Sequence, residues 1–347
     1  MLSVFGTPSP LLYGVRRIVE RLAHFSEKRT AVLAADNLNI LREKWGELDR
    51  SEIKRVFFFS ECPSRDLVQL MANVGTPALL VIENFASIVR FAMTQHHMDF
   101  RFAARFATHV LCAASPVGEL PSVLRVSEAD EHRELSLFVE RVARFSETAI
   151  TRENFGALIA ELSGAEGGRS TMTLGDYLAA HFPSDRDLAA FRAALNVEDS
   201  RTLTTLETSY GRLAEGRELE DAIWPNACFL TEGEQAFTGA VECVGPARVL
   251  FFGPYLFLPR GQWRAQIELE IAECYSDNRL AAEVVLFPDE IVRAVKTELP
   301  VAGRFRLDLE FTTPDDLRPI EMRVHLATGA IEGRLRFGPL RLTRLLS

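Results

Sequence analysis

Short hydrophobic runs alternate with amphipathic stretches over the first 115 positions of the chain. Thr30–Ala35, Val56–Ser60, Ala78–Ile82 and His109–Ala114 are apolar on both faces, and each run gives way to polar residues. Parallel strands covered by helices on both sides require such runs. Between them, Leu11–His24, Leu38–Leu48, Asp66–Val74 and Ala86–Gln95 carry the spacing of amphipathic helices, and Ser3–Phe5 is a candidate first strand. Strand–helix–strand alternation predicts right-handed crossovers and a doubly wound, mostly parallel sheet. Leu135–Phe145 and Glu153–Leu162 are predicted to be helices packed on or beside that sheet.

The pattern changes twice further on. Gly164-Ala165-Glu166-Gly167-Gly168 reads as a linker. A helical stretch follows: Leu174–His181, then Asp185–Leu195 with Ser184 as its N-cap, then about Arg201–Leu213. From about Cys228 the period becomes two. Trp263, Ala265, Ile267, Leu269 and Ile271 alternate with Arg264, Gln266, Glu268 and Glu270. Phe305, Leu307, Leu309 and Phe311 repeat the pattern, as do Ile320, Met322, Val324 and Leu326. Alternation with one wet face marks antiparallel sheets. Turn signals such as Gly253-Pro254, Pro259-Arg260-Gly261, Asp277-Asn278, Pro288-Asp289 and Thr328-Gly329 separate these strands and predict a sandwich or jelly roll. The expected class is therefore α/β plus all-β. An α/β domain spans 1–163, a small helical connector 170–220, and a jelly-roll-like antiparallel β-sandwich 221–347.

Composition narrows the functional classes. The 347 residues carry a net charge of −9 and no long Lys/Arg run, which argues against nucleic acid as a partner. No apolar stretch reaches the length of a membrane span and the start lacks a basic leader, so the expected location is the cytoplasm. Five widely spaced cysteines without a CxxC pair suit reduced thiols. No cofactor is expected: the chain has neither GxGxxG nor GxxxxGK[ST], and the prolines of Gly6-Thr7-Pro8-Ser9-Pro10 remove amides that a phosphate nest needs. No metal is expected either. His96 and His97 are adjacent, not at the i, i+3 or i+4 spacing that helical metal sites use. The DxD form of Asp185-Arg186-Asp187 falls in the first turn of a predicted helix, where acids favour the dipole.

Ligands of open parallel sheets bind beyond the carboxyl ends of the strands. That rule selects Asp36, Asn37, Glu61, Ser64, Glu83, Asn84 and Ser115 as residues that could meet in one crevice. Cys62 precedes a candidate helix start, a position that can lower a thiol's pKa, although an unreactive thiol is the commoner outcome. Arg101 and Arg105 fit a solvated helix face. In the sandwich, Phe251 to Trp263 holds five aromatic residues within thirteen positions. Tyr255, Arg260 and Gln262 have the side-chain types of glycan sites, whereas Trp263 lies on the apolar phase of its strand and belongs to the core. The charged outward rows, including Arg304, Arg306, Asp308, Arg323 and His325, are explained by cross-strand ladders.

The segments GPYLFLPRGQWRAQIELEI and GAIEGRLRFGPLRL resemble β-sandwich modules of the carbohydrate-binding type, in which Y-x-x-L-P-x-G-x-Y/W leads into a long alternating strand. They also look like the sandwich tails of bacterial proteins in surface-polysaccharide pathways. The resemblance covers roughly residues 235–347 and implies a jelly-roll-like fold with a glycan ligand. Three functional readings follow. The first is a non-catalytic accessory protein of bacterial polysaccharide biosynthesis or handling, binding glycan, polysaccharide or a partner protein of the synthesis complex through the sandwich. The second is a glycosyltransferase-like transferase acting at the α/β crevice. The third is a protein–protein scaffold.

Overall fold

The computed structural model describes the chain except residues 27, 50, 52, 165–170, 184–186, 277 and 346–347. The linker candidate beyond Gly164, the Ser184 cap, most of the DxD motif and the first residue of the Asp277-Asn278 turn lie outside the described residues. Two compact units emerge. The first joins Met1–His97 to Ala113–Ala189, and the second joins Met98–Cys112 to Ala190–Ser347. The expected connector, 170–220, is thereby shared between the two.

The first unit contains β1 (Leu2–Gly6), α1 (Pro10–His24), β2 (Thr30–Ala34), α2 (Leu38–Glu47), β3 (Arg55–Ser60), α3 (Arg65–Val74), β4 (Ala78–Val81) and α4 (Phe85–Gln95). Helix α5 (Phe100–Ala114) leads to β5 (Val123–Val126), and α6 (Leu135–Phe145), α7 (Arg152–Ser163) and α8 (Leu174–His181) follow. The strands form one parallel sheet in the order β2-β3-β1-β4-β5. Segment Ser3–Phe5, a marginal candidate by pattern, thus lies in the central strand. One sheet face, with Leu2, Val4, Phe57, Phe59, Leu79 and Val81, forms a core with α1, α6, α7 and α8. Ser3 points to the other face, where its Oγ lies 3.4 Å from the Met71 sulfur of α3.

One expected strand is wrong. His109–Ala114 is the last turn and a half of α5, not a strand. Buried Ala103, Ala104, Ala107, Val110, Leu111 and Ala114 recur at three- and four-residue spacing, so the apolar run is the inner stripe of a longer helix. The fifth strand is Val123–Val126, an edge element in which Arg125 hides the hydrophobic signal.

The second unit takes up Phe100–Cys112 of α5 and most of α9 (Leu188–Ala194), with α10 (Val197–Ala214) and the strands β6 (Asp221–Trp224), β7 (Ala240–Glu242), β8 (Arg248–Leu256), β9 (Gly261–Ala272), β10 (Arg279–Leu286), β11 (Glu290–Glu298), β12 (Gly303–Thr313), β13 (Ile320–Leu326), β14 (Arg334–Phe337) and β15 (Leu340–Leu345). One antiparallel sheet has the order β11-β10-β13-β8, and the other is built on β9, flanked by β12 on one side and by β15 and β14 on the other. Trp263, Ala265, Ile267, Leu269 and Ile271 are all buried, as their alternation requires. The Trp263 indole donates to Pro259 O at 3.1 Å. Strand β12 departs from the pattern at its start: Phe305 is 39% exposed, whereas Leu309 and Phe311 are buried. Among the described residues, no helix is long and apolar enough to cross a membrane.

Candidate functional site

Two places gather chemistry. The first lies at the strand ends of the α/β unit. The chain leaves β1 into α1 on one face of the sheet and leaves β3 into α3 on the other, so the ends of these paired neighbours are a topological switch point. A cleft of about 300 Å³ opens there, lined by Val4, Leu12, Arg16, Ala34, Ala35, Asp36, Ile40, Lys44, Phe59, Ser60 and Glu61.

Asp36 and Glu61, both expected, line this cleft. Asp36 Oδ1 accepts from Ser60 Oγ at 2.6 Å, Glu61 N at 2.9 Å and Cys62 N at 3.1 Å, which ties the β3–α3 loop to the end of β2. Glu61 Oε2 accepts from the Tyr13 hydroxyl at 3.0 Å. Burial, with Glu61 alongside, holds the Tyr13 phenol well above its usual range.

The other expected residues do not join them. Asn37 caps α2 by accepting from Ile40 N, and Asn84 caps α4 by accepting from Ser87 N. Ser64 occupies the N-cap position of α3 without a capping bond from its side chain. Glu83 follows β4, two strands from β3 and hence roughly 10 Å away across the sheet. It is 5% exposed, accepts from Leu11 N at 3.0 Å, and burial pushes its carboxyl up to about 7. Ser115 starts a short turn after α5, because the strand expected before it is helical. Cys62 is not activated: burial, then Asp36, pushes its thiol up to about 12. No group of three or more His, Cys, Asp and Glu side chains is arranged for a metal among the described residues. Arg16, Lys44, Tyr13 and Ser60 carry no motif that sequence reasoning could have used.

The second place is in the sandwich unit. Tyr255 lies at the end of β8, where Gly253 and Tyr255 have φ of 108° and 64°. Positive φ is unusual for a bulky side chain, and such outliers gather at ligand sites. The Arg105 guanidinium sits 4.7 Å from the Tyr255 ring centroid and 5.1 Å from that of Phe102, and its Nε donates to Pro254 O at 2.8 Å. The reading of Arg105 as a solvated residue is therefore overturned: its guanidinium contacts two aromatic rings. Phe287 meets Tyr255 edge-on at 5.6 Å. The Tyr255 hydroxyl donates to Glu321 Oε1 at 3.1 Å, and Arg323 Nη2 lies 2.7 Å from Glu321 Oε2. Burial and Glu321 push the Tyr255 phenol up to about 12.

Arg260 and Gln262 do not share these surroundings. The chain passes from one sheet to the other between Tyr255 and Gln262. Arg260 pairs with Asp315 at 3.1 Å on the surface, and Gln262 registers against Thr312 and Leu345 in β9. The outward rows behave as ladders: Arg264 bonds Glu310, and Gln266 bonds Asp308.

No protein-family model matches the chain, and no curated protein matches it. Solved structures do. A family 61 carbohydrate-binding module in complex with β-1,4-galactotriose is 13% identical, with a TM-score of 0.24 over 30% of this chain and 69% of that one. A mouse sulfotransferase complexed with PAP is 11% identical, with a TM-score of 0.37 over 62% of this chain and 87% of that one. The family 22 carbohydrate-binding and catalytic modules of a Clostridium thermocellum xylanase, complexed with xylohexaose, are 7% identical, with a TM-score of 0.24 over 37% of this chain and 25% of that one. These likenesses concern the fold alone. Several carbohydrate-binding modules are among them.

Proposed function

We propose that the chain is a non-catalytic accessory protein of bacterial polysaccharide biosynthesis or handling, acting in the cytoplasm, and that its sandwich unit binds glycan at Tyr255. The observation that carries this reading is the Tyr255 ring, held at positive φ, with the Arg105 guanidinium 4.7 Å from its centroid, Phe287 at right angles to it and Glu321 on its hydroxyl. Sugars present apolar C–H faces rimmed by hydroxyls. A surface that grips them combines aromatic faces with a few fixed polar groups. Phe102 and Phe287, 57% and 46% exposed, supply accessible apolar faces beside Tyr255. Arg105, Glu321 and Arg323 supply donors and acceptors that are already held in place.

Calorimetric titration of the full chain with galacto-, xylo- and gluco-oligosaccharides tests this. Saturable binding is expected, about tenfold or more weaker in Tyr255→Ala and weakened in Arg105→Gln. Absence of binding to every oligosaccharide at millimolar concentration sinks the reading, as does binding indifferent to both substitutions.

A further inference from the structure

The strand-end cleft belongs to the α/β unit, whereas Tyr255 belongs to the sandwich unit, and the cleft carries a chemistry of its own. Two cations of that unit have carboxylate partners: Arg16, in the cleft lining, pairs with Glu20 at 2.9 Å, and Arg141 pairs with Asp130 at 2.6 Å. Three other charges of the cleft have no such partner. Among the described residues, Asp36 and Glu61 have no cation within ion-pair distance and Lys44 has no carboxylate; Lys44 donates to Ala34 O at 2.6 Å. The chain's own donors fall on Asp36 Oδ1 and Glu61 Oε2, which leaves one oxygen of each carboxylate without a donor among the described residues. The floor is the opposite in character: Ile40 is 37% exposed, beside Phe59, which is buried with the Arg16 guanidinium 5.2 Å from its ring centroid. Two positioned acceptors above an apolar floor, at a switch point, suit a ligand that brings paired hydroxyl donors on an apolar body.

We infer that this cleft binds a small molecule with a vicinal diol beside an apolar face, the chemistry shared by ribonucleosides and pyranoses. The two hydroxyls donate to Asp36 and Glu61, and the apolar face of the ring meets Ile40. A volume of about 300 Å³ is at the lower end for small-molecule pockets and holds one such unit, not a chain of them.

Thermal-shift measurements on the full chain use adenosine, 2′,3′-dideoxyadenosine and methyl glucoside as probes, with calorimetry on any that bind. Adenosine or methyl glucoside is expected to raise the melting temperature, and which of them does so separates the two sources. Dideoxyadenosine, which lacks the diol, is expected to leave it unchanged. Glu61→Gln keeps an acceptor for Tyr13 and so preserves the local fold. It is expected to weaken binding about tenfold or more, and Asp36→Asn to do likewise. The same binding is expected to survive Tyr255→Ala, which keeps it distinct from glycan capture by the sandwich. The inference is overturned if neither diol binds at millimolar concentration, if dideoxyadenosine binds as tightly as adenosine, or if both carboxylate variants bind as the wild type does.

Discussion

The Leu11 amide donates to Oε1 of Glu83 at 3.0 Å, so the first turn of α1 is capped from the end of β4 by a buried carboxyl group. The place where a helix following the first strand of a parallel sheet attracts an anion is thus filled by the chain itself. Ser9 completes the cap by accepting from Leu12 N.

Stability should therefore fall as the pH rises through a defined window. Burial raises the Glu83 carboxyl from 4.5 to about 7, so between those values the folded chain holds a proton that the unfolded chain has released. Stability is lost across that interval and levels off above it, with Glu83 contributing on the order of 3 kcal/mol. Glu83→Gln keeps an acceptor for Leu11 and cannot ionise. Urea denaturation at a series of pH values should show the variant gaining on the wild type from pH 5 to 7, with a constant difference beyond. A difference that does not vary with pH would show that Glu83 stays charged throughout.

Much of the fold was legible because hydrophobic period reports burial directly. Thr30–Ala35, Val56–Ser60 and Ala78–Ile82 became β2, β3 and β4, and the alternation from Trp263 to Ile271 became β9. His109–Ala114 misled because six apolar residues read alike on a strand and on the inner stripe of a helix. The sites were less legible. Polar residues at strand ends serve as caps as often as they serve ligands, and Asn37 and Asn84 are caps. Arg105 meets Pro254 across 149 positions of sequence, a contact without any local signal.

Asp36 should prove structural as well as ligand-facing. Its Oδ1 holds one hydroxyl and two amides of the β3–α3 junction. Asp36→Ala removes all three bonds and should cost about 1–3 kcal/mol, the low end applying where freed amides reach water. Asp36→Asn retains the oxygen and should cost less. Equal losses in the two variants, measured by denaturant midpoint, would assign the effect to charge and not to acceptor geometry.

The thiols should be inert in the native state. Burial pushes Cys62, Cys228 and Cys243 up to about 12, so very little thiolate exists near neutrality. Thiol titration with a chromogenic disulfide at pH 7.5 should proceed slowly when folded and rapidly to all five cysteines in denaturant. Fast native labelling of Cys62, identified by peptide mapping, would reopen its candidacy as a nucleophile.

Tyr210 joins α10 to β6 and to the segment just after β8, and should be the most sensitive polar position there. It is fully buried; its hydroxyl donates to Phe257 O at 2.8 Å and accepts from Trp224 Nε1 at 3.1 Å. Tyr210→Phe keeps the ring and its packing and removes one oxygen. The Trp224 indole then has a buried donor without a partner, while Phe257 O retains the Cys112 thiol at 3.6 Å. An orphaned buried donor costs about 1–3 kcal/mol, whereas breaking the surface pair Arg264–Glu310 by Glu310→Gln should cost less than about 1 kcal/mol. Urea titration of both variants compares them directly, with the midpoint shifting and the slope unchanged if the native fold is kept. A Tyr210→Phe loss no larger than that of Glu310→Gln would mean that water or a rotated indole satisfies Trp224, and that the hydroxyl does not hold α10 to the sheet.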